Sequence, residues 1–223
     1  MKWFWLIEWA CIPFKGRWYN PMDWWQILKA TYYVSRLKDP IVTIFGGVGA
    51  YEEGKYTQWA YSIAQKCVEN DMSVITGGGP GIMAAANCGA YDKAKELGIS
   101  RLVSLGIGVY DVDPNYKNLC APVVLLPYFF MRKWFLNNYA SGFIVMPGGI
   151  GTAEELFEIL NCMKTGKMKS APIVLVGKNY WHHLIGWYNH AVEYELIKKQ
   201  FIDLFIVTDD IDEAINLLIK YCR

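Results

Sequence analysis

From Ile41 onward, short apolar runs alternate with longer segments whose apolar positions return every three or four residues. The short runs are Ile41 to Phe45, Ser73 to Thr76, Leu102 to Ile107, Val123 to Leu126, Gly142 to Met146, Pro172 to Val176 and Leu204 to Val207, and their length and β-rich composition predict buried strands. Between them, Tyr56, Trp59, Ala60, Ile63, Ala64, Cys67 and Val68 fit one face of a helix. Further helices are predicted from Ile82 to about Leu97, from Tyr128 to Tyr139, through Leu156, Ile159, Leu160 and Met163, from Trp181 to Glu195, and from Asp210. Strands and helices in alternation imply an α/β fold: a Rossmann-like, doubly wound parallel sheet covered on both faces, with ligands at the carboxyl ends of the strands.

The segment before Ile41 breaks this pattern. Residues 1 to 40 are crowded with aromatics, among them Trp3, Phe4, Trp5, Trp9, Trp18, Trp24, Trp25, Tyr32 and Tyr33, with Pro13, Gly16 and Pro21 as breaks. Asp23 is placed to cap a short helix from Trp24 to Ser35. The expected organisation is an aromatic N-terminal arm over residues 1–40 and one nucleotide-binding catalytic domain over residues 41–223.

Three glycine turns fall where a predicted strand hands over to a helix: Gly46 to Gly49, Gly77 to Gly81 and Gly148 to Gly151. Any one is explained by glycine's backbone freedom alone. Three at the same edge of a parallel sheet predict one crevice, where backbone amides at helix starts would favour an anion such as a phosphate. The dinucleotide pattern Gly-x-Gly-x-x-Gly with its later acidic residue is absent, as is the Walker lysine, so a mononucleotide fits better than a dinucleotide or hydrolysed ATP.

Composition narrows the ligand class. With 22 basic and 21 acidic residues the net charge is +1, which predicts neither a nucleic-acid nor a membrane partner. The six cysteines, Cys11, Cys67, Cys88, Cys120, Cys162 and Cys222, form no Cys-x-x-Cys pair and no zinc spacing, and are read as reduced thiols of a cytoplasmic protein. The opening apolar stretch is interrupted by Glu8 and lacks a small-residue cleavage site, so a secretory signal is not expected. His182, His183 and His190 lack the i, i+4 spacing of a helical metal site, and no lysine stands in a pyridoxal-phosphate context. Neither metal nor cofactor is expected.

Two readings compete at Thr152 and Glu155. Thr-x-x-Glu is the spacing of a capping box, in which the threonine caps the helix and the glutamate reaches back to its amide. A catalytic reading needs a partner for the carboxylate, and Arg132 offers one: Phe135, Leu136 and Tyr139 share its helix face, which places a cation beside a buried stripe.

Phe130-Met131-Arg132-Lys133, the 23-residue spacing from Arg132 to Glu155, the run Pro147-Gly148-Gly149-Ile150-Gly151-Thr152-Ala153-Glu154-Glu155, and the upstream Gly-Gly-Gly-Pro-Gly-Ile-Met at residues 77–83 together resemble the Lonely Guy family. These are cytokinin riboside 5′-monophosphate phosphoribohydrolases, also labelled lysine decarboxylase-like. The resemblance covers residues 41 to about 220. It implies Arg132 and Glu155 as the catalytic pair, Gly78, Gly79, Gly81, Met131, Lys133, Gly148, Gly149, Gly151 and Thr152 as substrate- or phosphate-binding positions, and a homodimer or higher homo-oligomer. The first turn, Phe45-Gly46-Gly47-Val48-Gly49, departs from the family's glycine-serine pattern, and the aromatic arm looks like that of a longer bacterial subgroup. The expected reaction is hydrolysis of the N-glycosidic bond of a nucleoside 5′-monophosphate, AMP or a cytokinin riboside monophosphate. The alternative is a non-hydrolytic nucleotide or molybdenum-cofactor carrier.

Overall fold

In a computed structural model, the structure describes residues 21–48, 54–110, 119–198 and 204–222. The first twenty residues of the aromatic segment lie outside these. Helix α1 (Pro21–Ser35) is followed by β1 (Ile41–Phe45), α2 (Lys55–Glu69), β2 (Ser73–Thr76), α3 (Ile82–Glu96), β3 (Ser104–Val109) and β4 (Val123–Leu126). Then come α4 (Phe129–Asn138), β5 (Gly142–Val145), α5 (Ile150–Lys164), β6 (Ile173–Val176), α6 (Lys178–Glu193), β7 (Phe205–Thr208) and α7 (Ile211–Cys222).

The strands form one seven-stranded sheet in the order β4-β3-β2-β1-β5-β6-β7, and every neighbouring pair is parallel. The chain winds outward from β1 to β4, then returns to place β5 on the other side of β1. That reversal makes a topological switch point between β1 and β5, where the loops leaving the strands diverge and open a crevice.

Alternation along β1 explains why its apolar run is continuous. Val42 and Ile44 join a core with Val74, Ile144 and Val174, packed by Ala60 and Ile63 of α2, Ala86 of α3 and Leu218 of α7. Ile41 and Phe45 join the opposite core with Ile75, Phe143 and Leu175, packed by Ala30 and Val34 of α1, Phe135 and Leu136 of α4, Leu156 and Ile159 of α5, and Trp181 of α6. A strand buried on both faces has no solvent side on which to place polar residues. The exception, Thr43, donates its buried hydroxyl to the carbonyl of Leu136 at 2.7 Å and so ties α4 to the centre of the sheet.

Several boundaries differ from expectation. Strand β3 runs two residues later than its apolar pattern suggests, because Val74 to Thr76 of β2 pair with Ser104 to Gly106. Helix α1 begins at Pro21, so Asp23 lies in its first turn instead of preceding it. Helix α6 begins at Lys178, three residues ahead of Trp181.

The cysteine reading also changes: Cys88 and Cys120 form a disulfide. Buried Asn87 explains the meeting of residues so far apart in sequence, since it donates to Ser104 Oγ at 3.1 Å and accepts from the Ala121 amide at 2.9 Å. Those bonds draw the segment before β4 onto α3 and set Cys120 beside Cys88. Cys67, Cys162 and Cys222 are free thiols, and burial pushes that of Cys67 up to about 12; Cys11 lies outside the described residues.

Candidate functional site

All three glycine turns reach one crevice of about 360 Å³ at the carboxyl ends of the central strands. Gly46 and Gly47 enter it from β1, Gly77 and Gly79 from β2, and Gly149 and Gly151 from the turn into α5. A volume in this range suits a small organic ligand. The first and third turns interlock: Gly47 donates its amide to the Pro147 carbonyl at 3.0 Å, and a β-carbon on Gly47 would stand 2.9 Å from the Gly148 Cα. A β-carbon on Gly148 would meet Thr152 Oγ1 at 2.1 Å. The two backbones approach as they do because neither residue carries a side chain.

Helix α5 starts with Gly149 as its N-cap and has no side-chain capping bond. Thr152 is the third helical residue, and its amide goes to the Gly149 carbonyl at 3.1 Å. The capping box is therefore not formed. Tightly bending glycines let the helix begin three residues earlier than a threonine cap would, and Glu155 lies one turn inside it.

Freed from capping, Glu155 lines the crevice while only 3% exposed. Its Oε1 lies 3.6 Å from Arg132 Nη1, and its Oε2 is buried with no hydrogen-bond partner among the described residues. Burial penalises the charged form and raises its pKa from 4.5 to about 7; the Arg132 and Lys133 cations oppose this, while Glu154 and Glu158 add to it. At neutral pH such a carboxyl is poised between proton acceptor and donor, the condition that suits acid–base chemistry.

Arg132 is delivered by α4, whose apolar face buries Phe135 and Leu136. Its Nε donates to the Ile107 carbonyl of β3 at 3.1 Å. The guanidinium occupies the space above Gly77, where a β-carbon would stand 2.1 Å from Nη2. One residue along, Lys133 pairs with Glu154 and lies 3.1 Å from Glu158 Oε2. Two successive residues of α4 thus face successive residues of α5, 132 to 155 and 133 to 154.

Of the positions singled out in the sequence, Arg132, Glu155, Gly79, Gly149, Gly151 and Thr152 line the crevice. Gly78, Gly81, Gly148, Met131 and Lys133 stand behind it. Gly78 and Gly81 have φ of +73° and +67°, backbone that L side chains rarely adopt, and shape the turn. Further lining residues are Gly77, Met83, Gly108, Val109 and Phe129. Gly106-Ile107-Gly108 was the available signal for β3, since two glycines in a strand often mark close approach of another group. His182, His183 and His190 are exposed on α6, away from this crevice.

The family described as "Possible lysine decarboxylase" matches residues 83–218. A cytokinin riboside 5′-monophosphate phosphoribohydrolase of Rhodococcoides fascians is 36% identical over 85 residues, which cover 38% of this chain and 42% of that protein. One from Arabidopsis thaliana is 22% identical over 184 residues, covering 81% of this chain and 83% of that protein. Among solved structures, the molybdenum cofactor carrier protein of Chlamydomonas reinhardtii shares the fold with a TM-score of 0.55 at 16% identity, over 82% of this chain and 98% of that one. With more than half its length matched, the chain belongs to the possible lysine decarboxylase family, the family of the Lonely Guy phosphoribohydrolases.

Proposed function

We propose that the chain hydrolyses the N-glycosidic bond of a nucleoside 5′-monophosphate, AMP or a cytokinin riboside monophosphate, to free base and ribose 5-phosphate. The observation that carries this reading is the buried, unpartnered Oε2 of Glu155, set beside Arg132 in a crevice built from three glycine turns.

Breaking the bond between the ribosyl C1′ and the base nitrogen leaves positive character on C1′ and sends the electron pair to the base. Water adds at C1′, and its proton must be taken up while the base acquires one. Glu155, with its pKa near 7, accepts the proton of water and stabilises the cationic sugar, as carboxylates do in glycoside hydrolysis. The planar guanidinium of Arg132 orients the substrate and offsets negative charge on phosphate or leaving base. Gly149, Gly151 and Thr152, at a helix start without a side-chain cap, hold the 5′-phosphate. Tyr180 of α6 donates its hydroxyl to the Gly148 carbonyl and steadies that turn. Binding energy from the phosphate then positions the sugar.

Exposed Phe129 and Trp134 on α4, and Phe157 meeting Trp187 of α6 edge to face with ring centres 5.5 Å apart, provide an apolar surface beside the crevice. It fits the homodimer expected from the resemblance.

The test is chromatographic. Purified protein is incubated with nucleoside 5′-monophosphates, the matching nucleosides and isopentenyladenosine monophosphate, and free base and ribose 5-phosphate are measured. Release from monophosphates but not from nucleosides supports the reading and identifies the base. Binding without release overturns it in favour of a carrier.

A further inference from the structure

Helix α1 carries large apolar side chains on both its inner and its outer side. Its inner side packs across β3 and β4, with Ala30 and Val34 buried, followed by buried Leu37. Its outer side should then be polar, as on an ordinary surface helix. Instead Trp25 is 64% exposed, Leu28 59% and Tyr32 56%.

Helical spacing arranges these residues in a definite order. Trp25, Lys29, Tyr32 and Arg36 follow one another at steps of four, three and four residues, a line that alternates aromatic and basic along the helix and into the turn after it. Arg36 donates to the Tyr32 hydroxyl at 3.0 Å, and its guanidinium stands 5.6 Å from the Tyr32 ring centre. Residues 24 to 37 contain no acidic side chain. The same bias extends through the start of the chain: up to residue 36 there are five basic residues (Lys2, Lys15, Arg17, Lys29, Arg36) against two acidic (Glu8, Asp23). That leaves 17 basic against 19 acidic in the remainder, so the net positive charge of the chain lies at this end.

We propose that the outer face of α1 docks the chain on an anionic lipid surface. Tryptophan and tyrosine favour the headgroup level of a bilayer, where an apolar ring and a polar edge are both accommodated. Leucine enters the acyl boundary, while lysine and arginine extend to the phosphates. This is a peripheral contact, and none of the helices among the described residues is long and apolar enough to cross a membrane. The Lys38 amide, just past α1, donates to Ser73 Oγ at the start of β2, the opposite edge from the crevice. None of Trp25, Leu28, Lys29, Tyr32 and Arg36 lines the crevice, so docking through them uses no residue of that site. An aromatic and basic stripe also suits single-stranded nucleic acid, where bases stack on the rings. Leu28, as exposed as Tyr32, offers no stacking face, and this favours lipid.

The full chain is sedimented with vesicles of phosphatidylcholine alone and with vesicles of equal parts phosphatidylcholine and phosphatidylglycerol. The expected result is binding to the second kind only, weakened by salt. Each basic side chain near such a surface contributes about five-fold, so Lys29→Glu with Arg36→Glu should reduce binding by more than about 20-fold. Trp25→Ser with Tyr32→Ser should reduce it as well, with an unchanged thermal midpoint and an unchanged crevice activity as controls for folding. Absence of binding to anionic vesicles, or binding that both double variants retain, overturns the proposal. So does displacement of the chain from vesicles by a single-stranded oligonucleotide of comparable affinity.

Discussion

Arg132 Nη1 stands 3.6 Å from Glu155 Oε1, within ion-pair range but beyond a direct hydrogen bond. The guanidinium is anchored to the backbone instead, through Nε to the Ile107 carbonyl. Cation and carboxylate are therefore neighbours without the two-pronged pairing that would consume both oxygens of Glu155. Replacing the carboxylate with an amide of the same shape should spare binding and remove the chemistry. Glu155→Gln is expected to lower turnover by about 10²- to 10⁴-fold, the usual range for an acid–base group, with nucleotide affinity nearly unchanged. Turnover and equilibrium binding measured on the same preparation check this, and near-native turnover would leave Glu155 without a catalytic role.

The raised pKa of Glu155 makes stability depend on pH in a direction opposite to that of a salt-bridged carboxylate. The unfolded carboxyl titrates near 4.5 and the native one near 7, so between these values the native state holds the extra proton. The favourable contribution is complete below the unfolded value and is lost as pH rises through the native one, on the order of 3 kcal/mol in all. Glu155→Gln removes the dependence. Compared at the same pH, the variant should melt above the native protein at mildly alkaline pH and converge with it in acid. The catalytic rate should move the other way and rise with pH through about 7 as the carboxylate forms. Thermal melts and rate profiles over one buffer series check both, and a variant that converges at alkaline pH instead would refute the assignment.

Much of the fold could be read from the chain because its strands are buried on both faces. Runs such as Ile41 to Phe45 and Val123 to Leu126 are uninterrupted, and both strands match their expected bounds. Strand β3 was legible in existence but not in register, since Leu102 and Val103 are as apolar as the residues that pair. The convergence of the glycine turns followed from topology. What each glycine does there did not, because the space above Gly77 is defined by Arg132, which lies 55 positions away in the chain. The capping-box spacing misled for a local reason: Thr-x-x-Glu describes any two residues three apart on a helix, and only the position of the helix start decides which of them is the cap. The disulfide was hidden for a similar reason, since its two cysteines meet through Asn87 and not through any spacing of their own.

Gly77→Ala tests how Arg132 is seated. The added methyl would stand 2.1 Å from Arg132 Nη2 and 2.7 Å from Met83 Sδ, closer than such atoms approach. Both are ends of long side chains that can swing away, so the fold should survive while the guanidinium leaves its place beside Glu155. A displacement of about 1 Å in a positioned group can cost on the order of 10²-fold in rate. The expected outcome is a loss of that size with a nearly unchanged thermal midpoint. Native activity in the alanine variant would mean that the guanidinium reaches the substrate from elsewhere.

The Cys88–Cys120 bridge closes a loop across 32 positions, from α3 to the segment entering β4. That loop includes all of β3, whose last residues Gly108 and Val109 line the crevice. Chain-entropy reasoning assigns a loop of this length about 3–4 kcal/mol, by limiting the unfolded chain. Disulfides persist in oxidising compartments, so the bridge weighs against the cytoplasmic expectation drawn from cysteine spacing. Protein prepared under oxidising conditions should show two free thiols fewer than its six cysteines would allow, the two taken up by this bridge. Reductant, or Cys88→Ser, should lower the thermal midpoint by several degrees, and reductant should then have no further effect on the variant. Equal midpoints for native protein with and without reductant, despite a thiol count that confirms the bridge, would show that Asn87 and the sheet hold β4 in place unaided.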